Sequence, residues 1–487
     1  MKKLSPAEKL RIRTAIPTRI ISNGEYDPLP QTADQRKVEE AIVEMATEVS
    51  KEMCTSRREV LQSSAAIVIG LLGLNKVFGE YFDVSAEDIF RMKRAEAATG
   101  ADSNRPIIFD MQTHLVKDDF HHPTLVKFAK WADALGVKNV SQKSSEEMER
   151  FKLPHFLREI FIESQTDAAL LSGAPFSNGD PLPNDLLYRV CDVVNEIAGA
   201  KVLYANHVVN PNISGWLKSA KADAKSAKPR SWKLFPVGDP LSPTGKPWRL
   251  DDKKLMYPFY EMAMSSGVRN ITIHKGLTPS HYESKFPAAW KAAQVDDLKA
   301  VARDWPELNF IIFHSALRPF AGENLESDMK RFEDTGEILW VSDLVRIVQE
   351  GGFKNVYAEI GTSFASSCVT NPRFCAAFIG TLLNGVGEDR ILWGTDSVWY
   401  GSPQWQIEAF KALRIPGEMM AKRNWKLDIG SGISPIRKKI FSENALRLLK
   451  LPANTEKRSP FKSEWIEKAR SKISKLDHRS YGYYAKG

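Results

Sequence analysis

Three histidines and one aspartate stand at equivalent places in the sequence. His114 follows Phe109-Asp110-Met111-Gln112-Thr113, and His274 closes Ile271-Thr272-Ile273. His314 closes Phe310-Ile311-Ile312-Phe313, and Asp396 ends Ile391-Leu392-Trp393-Gly394-Thr395. One histidine at the end of an aliphatic run is more often hydrogen-bonded filler than a ligand. The chain holds nine histidines in all, and three of them share this placement with an aspartate. Neutral imidazoles with a carboxylate are the donor set of a divalent cation or of an acid/base pair. His207 ends a more polar run and reads as a hydrogen-bonded rim residue. His121, His122, His155, His281 and His478 lie in polar stretches and read as surface residues. Asp110, Lys233 and Glu359 are further candidates. Lys233 is either an ion-pair partner of Glu359 or a metal-bridging carbamylated lysine. Trp393 reads as packing and Trp399 as a pocket wall.

Elements of one kind place these residues. From Arg105 onward short aliphatic or β-branched runs recur at Pro106–Asp110, Asp167–Ser172, Lys201–His207, Ser231–Phe235, Asn270–His274, Asn309–His314, Asn355–Ile360 and Ile391–Asp396. The intervals, about 30–60 residues, fit a strand, a helix and two loops. Helical patterns lie between them at Asp185–Ala198, Asp252–Ser266, Asp296–Asp304, Ser342–Glu350 and Pro372–Leu383. Asp296 and Ser342 are expected N-caps, and Gly199, Gly267 and Gly351 expected stops. Near-continuous apolar strands alternating with helices demand a parallel sheet covered on both faces. Eight of them predict an α/β fold, the closed (β/α)8 TIM barrel, with a doubly wound open sheet as the alternative. In a barrel all strand C-termini open on one face, which is where the four residues would meet. No GxGxxG follows the first run and no Walker loop occurs, which weighs against dinucleotide and phosphate-cradling sites.

At 487 residues and 43% apolar composition the chain can bury a large core. Its net charge of +8 is modest, and residues 452–487 carry much of it with nine Lys/Arg against four Asp/Glu. A solvated basic tail fits that distribution better than a nucleic-acid groove. Four scattered cysteines exclude a disulfide scaffold and a CxxC knuckle. Residues 1–54 read as a polar leader with a helix near Asp34–Glu52. Residues 55–100 hold Ser56-Arg57-Arg58 before the apolar run Ala65–Leu74, which resembles a twin-arginine export signal with Ala95-Glu96-Ala97 as cleavage site. A buried internal helix, in a cytoplasmic protein, is the alternative. The run is too short for a bilayer, which needs about 20 residues. Residues 105–451 form the expected barrel and 452–487 a basic tail, with a helix from Lys462 and a tyrosine-rich end. The leader is not expected to carry chemistry. A homo-oligomer is left open.

Five segments together resemble the amidohydrolase-related metal-dependent hydrolases, especially the branch of aminocarboxymuconate-semialdehyde decarboxylase. They are Phe109–His114, Ile273–Gly276, Phe313–Pro319, Leu392–Asp396 and Phe441–Leu449, and the likeness covers about Ile107 to Leu451. The resemblance implies metal ligands at His114, His274 and Asp396, with Gln112 where the family has the first histidine of a His-x-His pair. His314 takes the place of a second ligand or a proton-transfer histidine. Gln112 would then bind the ion through its amide oxygen or hydrogen-bond the metal-bound water. Zinc is the expected ion, with Mn or Fe more competitive if oxygen donors replace nitrogen. The resemblance implies a hydrolase of a small-molecule amide, ester or lactone, with Asp396 or His314 accepting the proton of water. Lys275 and Arg318 are candidate anchors for an anionic group, a loop salt bridge being the alternative for Arg318. Two other readings are a nonoxidative decarboxylase of an aromatic or enoic acid, and a metal-free binding protein.

Overall fold

The computed structural model describes residues 14–97 (except 24, 27 and 28), 105–119, 137–138, 149–175, 180–238, 246–318, 325–452, 460–478 (except 474) and 484–485. Eight parallel strands run in chain order around a barrel: β1 (Phe109–Thr113), β2 (Ala168–Ser172), β3 (Leu203–Val209), β4 (Ser231–Leu234), β5 (Asn270–His274), β6 (Asn309–Phe313), β7 (Val356–Glu359) and β8 (Ile391–Leu392). Each pairs with the next, with Ile271 opposite Phe310 and Thr272 opposite Ile311. The ring closes between β8 and β1 through Met111 N–H to the Trp393 carbonyl (3.0 Å), Asp396 N–H to that of Gln112 (2.9 Å) and His114 N–H to that of Ser397 (2.7 Å). The strands are buried almost throughout, as helices covering the outer face require.

The expected pattern holds with shifts at its ends. The first strand starts later than the sequence implied, and β8 stops at Leu392. Beyond that point the chain leaves the ladder and turns, with Asp396 in the left-handed region (φ 57°). Helices occupy Asn184–Ala198, Tyr257–Ser266, Leu298–Asp304, Val341–Gly351 and Pro372–Gly385. Two capping expectations fail. Asp297, not Asp296, precedes Leu298–Asp304, and its carboxylate serves Lys275 and the Leu250 N–H instead of the helix. Trp340 precedes Val341–Gly351, while the Ser342 hydroxyl accepts from Ile338 N–H. That helix closes at Gly352, one residue beyond the expected Gly351.

The N-terminal region belongs to the same core. Helix α1 (Ala33–Glu52) starts from a capping box in which the Thr32 hydroxyl accepts from Gln35 N–H and the Gln35 amide oxygen accepts from Thr32 N–H. Helix α2 (Ala65–Phe78) is the apolar run, nearly all of it buried. A Cβ on Gly70 would stand 2.7 Å from the Ile16 side chain, so the missing side chain is what lets Ile16 lie against α2. Next to α2, Phe82 bridges Leu413, Asp83 N–H donates to the Ala412 carbonyl, and Ile67, Leu71 and Leu74 share one apolar cluster with Phe378, Phe410 and Leu413. The proposed cleavage triplet Ala95-Glu96-Ala97 ends the helix Ala86–Ala97. Among the described residues no helix is long and apolar enough to cross a membrane.

The C-terminal segment also packs back. The Ser463 hydroxyl donates to the Ala198 carbonyl, Arg470 donates to those of Phe161 and Thr166, and Leu476 N–H donates to that of Gln62. His478, expected at the surface, instead has its Nε2 3.2 Å from the Ser63 carbonyl and is partly buried. Tyr481 and Tyr483, like His121 and His122, lie outside the described residues.

Candidate metal centre

The strand ends bring His114, His274, His314 and Asp396 together as the sequence implied. His114 Nε2 lies 3.1 Å from Asp396 Oδ1, and the rings of His274 and His314 meet edge to face at 4.9 Å. His114 Nδ1 is 3.0 Å from the Ser172 carbonyl and His314 Nδ1 is 2.9 Å from that of Gly361. A carbonyl only accepts, so both Nδ1 atoms carry the proton; His314 Nε2 is left with a lone pair, the tautomer of a metal-ligating histidine, while His114 Nε2 faces the Asp396 carboxylate. His274 stacks on Phe235 at 5.2 Å, and its buried Nδ1 has no hydrogen-bond partner. Burial holds the pKa of His274 well below the ordinary histidine value, and that of His314 down to about 4. Both are therefore neutral donors at pH 7. Burial alone would raise the Asp396 carboxyl, but the hydrogen bond and charge of His114 and the charge of His314 outweigh it, and the group sits below the usual aspartate value.

Backbone conformation aims two of these groups. His314, Ser315 and Ala316 all have positive φ (62°, 50° and 56°), as does Asp396. Non-glycine residues there cost of order 1–3 kcal/mol each and cluster at functional sites. Glu359 braces the first turn: it accepts from His314 N–H at 3.1 Å and Gly361 N–H at 2.6 Å. A Cβ on Gly394 would stand 1.9 Å from Glu359 Oε1, so only glycine leaves room for that carboxylate. Asp110 does the same for the closing seam, accepting from the N–H groups of Gln112 and Thr395 and from the Thr395 hydroxyl. Asp110 and Glu359 thus position backbone, and burial raises their pKa values to about 7 and about 8.

Other expectations are corrected. The Gln112 amide nitrogen donates to Asp396 Oδ1 (3.0 Å) and lies 3.4 Å from His314 Nε2. Gln112 therefore offers N–H groups to the centre, and its oxygen is left without a partner. Lys275 is no anion anchor: its Nζ donates to the Ala292 carbonyl and to both oxygens of Asp297 at 2.9 and 3.0 Å, wholly buried. Arg318 takes the loop alternative, pairing with Glu283 at 3.0 Å and lying over Trp290. Lys233 does not pair with Glu359; its buried Nζ has no hydrogen-bond partner and sits over the rings of Phe313 (3.6 Å) and Phe235 (4.6 Å). Burial lowers its pKa to about 7. Trp399 is half-buried between the His114 ring (6.3 Å) and Phe151 (5.0 Å), as a pocket wall would be. His207, expected as a hydrogen-bonded rim residue, is hydrogen-bonded to Asn184 and Tyr188 but is buried within β3, which runs on to Val209.

The leader enters this centre, against expectation. Asn23 Nδ2 donates to Asp396 Oδ2 (3.1 Å) and to Glu25 Oε2 (2.9 Å). Glu25 Oε1 lies 3.7 Å from His274 Nδ1 and Oε2 lies 3.9 Å from His314 Nε2. Ligand atoms of Glu25, His274 and His314 all fall within 4.8 Å of one another. Burial, then the neighbouring Asp396, push the Glu25 carboxyl up to about 8. Thr362 donates to Asp396 Oδ2 at 2.6 Å and meets Tyr400, whose hydroxyl is 3.4 Å from that of Tyr26. Thr362 follows β7 and was within reach of the strand-end argument. Glu25 follows no strand, and nothing in its neighbourhood of the sequence marks it.

A large cleft of about 890 Å³ lies elsewhere, among Lys201, Arg230, Arg269, Asn270 and Asn309. Those residues begin strands, so the cleft opens on the face opposite the chemistry.

The segment carrying His274, His314 and Asp396 is the part that resembles a known family. Residues 220–451 match the amidohydrolase family model. The amidohydrolase match starts after β3, so it leaves out β1 with Gln112 and His114. No curated protein sequence matches the chain. Among solved structures the barrel is similar to a TIM-barrel protein of Bordetella bronchiseptica (15% identity, TM-score 0.44, 71% of this chain and 98% of that one). It is similar also to 5-carboxyvanillate decarboxylase of Sphingomonas paucimobilis (11%, 0.42, 72% and 100%). A third is a zinc-bound amidohydrolase of Burkholderia multivorans (11%, 0.42, 71% and 100%).

Proposed function

We propose that the chain is a metal-dependent hydrolase of a small-molecule amide, ester or lactone bearing an anionic group. One observation carries this reading: imidazoles from three strand ends meet the Asp396 carboxylate, with the Nδ1–H of His114 and of His314 each tied to a carbonyl. That donor set fits a zinc-class ion, with His114, His274 and Asp396 as its holders, and the partnerless Nδ1 of buried His274 is what such an ion would satisfy. When bound, the ion supplies Lewis acidity and lowers the pKa of a coordinated water to roughly 7.

The chain's own groups do the rest. His314 keeps Nε2 free to take a proton from the attacking water and returns it to the leaving group. Its environment disfavours the imidazolium, which makes that cation a strong acid toward the departing atom. The Gln112 amide holds Asp396 Oδ1 and approaches His314 Nε2, fixing their separation. Trp399 and Phe151 wall the site on the His114 side. Lys233 takes the role first given to Lys275 and Arg318, because its buried Nζ has no hydrogen-bond partner.

That unpartnered Nζ favours a second reading, nonoxidative decarboxylation, in which Lys233 holds the carboxylate and His314 protonates the adjacent carbon. A panel of amides, lactones and aromatic or enoic acids, assayed with metal-loaded protein, separates the two. A cleaved C–N or C–O bond supports hydrolysis; CO2 release overturns it in favour of the lyase.

A further inference from the structure

Asn23 and Glu25 of the leader segment reach the strand-end centre. Gln112, in the place of a first-strand ligand, turns its N–H groups inward, so β1 supplies one metal donor, His114, and no second. A carboxylate arrives from elsewhere: Glu25, only 14% exposed, stands 3.7 Å from the partnerless Nδ1 of His274. Asn23 bridges it to Asp396, donating from one amide nitrogen to both carboxylates at 2.9 and 3.1 Å. Two carboxylates are thereby gathered around one centre. Ligand atoms of Glu25, His274 and His314 all lie within 4.8 Å of one another, close enough to share one cation. A divalent ion there would take up the Glu25 carboxylate and the partnerless His274 Nδ1 together.

Building on the metal reading above, we propose that Glu25 is a ligand of the same cation, so that the N-terminal segment completes the centre the barrel leaves one donor short. A carboxylate in place of a second β1 histidine makes the donor set richer in oxygen, which brings Mn²⁺ and Fe²⁺ closer to Zn²⁺ in preference. It also makes metal retention depend on a segment whose sequence lies 84 or more residues before β1 (Glu25 against Phe109).

The test uses the full-length chain, stripped of metal and titrated with Zn²⁺ by calorimetry, with Co²⁺ absorption spectra recorded alongside. The variants are Glu25→Gln, which keeps the shape and loses the charge, and Glu25→Asp, which keeps the carboxylate. Glu25→Gln is expected to weaken Zn²⁺ binding about 100-fold and to change the Co²⁺ spectrum. Glu25→Asp is expected to recover part of the affinity, and it carries the test if Glu25→Gln does not fold. Wild-type affinity and an unchanged Co²⁺ spectrum in Glu25→Gln overturn the proposal, as does raised turnover with metal retained, which would make Glu25 a plug. Should Glu25→Gln not fold, Glu25→Asp with wild-type affinity and spectrum overturns it. A wild-type chain that takes up no ion overturns the metal reading itself, whereas failure of Glu25 alone leaves that reading intact.

Discussion

Asn23 Nδ2 hydrogen-bonds Asp396 Oδ2 at 3.1 Å, joining residues 373 positions apart. The contact fastens the leader to the turn that follows β8, and Thr362, just after β7, holds the same oxygen. Asn23→Ala removes the amide that spaces Glu25 from Asp396. Hydrogen bonds to charged groups contribute about 1.5–3 kcal/mol, so kcat/KM should fall at least tenfold on any substrate found. Unchanged steady-state kinetics would show the bridge to be idle.

His274→Ala and Asp396→Ala should each lose bound metal and activity while the barrel stays folded, since neither side chain belongs to the apolar clusters. Elemental analysis beside far-ultraviolet circular dichroism checks this. Turnover near wild type in either variant refutes the assignment.

Lys275 and Asp297 form a wholly buried ion pair. Removing one member leaves an uncompensated charge, and Lys275→Met should cost about 3–5 kcal/mol of stability by denaturant unfolding. KM should not change in protein that remains folded. A raised KM with intact stability would return Lys275 to the substrate.

Gly70 lies against Ile16 with no space for a side chain. Gly70→Val should destabilise the chain by about 1–3 kcal/mol through overpacking, and Ile16→Ala should relieve part of that loss in the double variant. Additive effects by thermal unfolding would mean that the two residues do not touch.

His207 is 2% exposed, and burial lowers its pKa to about 4. Its unfolded value is near 6.5, so between those limits the unfolded chain binds more protons there. The neutral-histidine contribution is complete above pH 6.5 and is lost as pH falls towards 4, by roughly 2–4 kcal/mol. The difference in stability between wild type and His207→Gln should shrink over that window; a constant difference would show that His207 is not the source.

The barrel was legible because its strands are short and aliphatic and recur eight times with room for a helix between them, a pattern that few folds satisfy. The meeting of His114, His274, His314 and Asp396 followed from topology alone, since parallel strands in a closed ring end on one face. The failures share a cause: sequence gives proximity along the chain, not partners across it. Lys275 looked available because its neighbour is His274, yet Asp297 claims it from 22 positions away. Ala65–Leu74 reads by composition as either an export segment or a buried internal helix, and in the fold it is the buried helix α2, clustered with Ile16 and Ile42. Glu25 had no periodicity to mark it, because an irregular segment is placed by contacts that only the folded chain makes.

Zinc-edge anomalous diffraction from crystals of the metal-supplemented protein tests the central claim most directly. The account predicts one strong peak per chain at about 2.0–2.2 Å from imidazole nitrogens of His114 and His274 and from an Asp396 oxygen. No peak there, or a peak held by other residues, contradicts it.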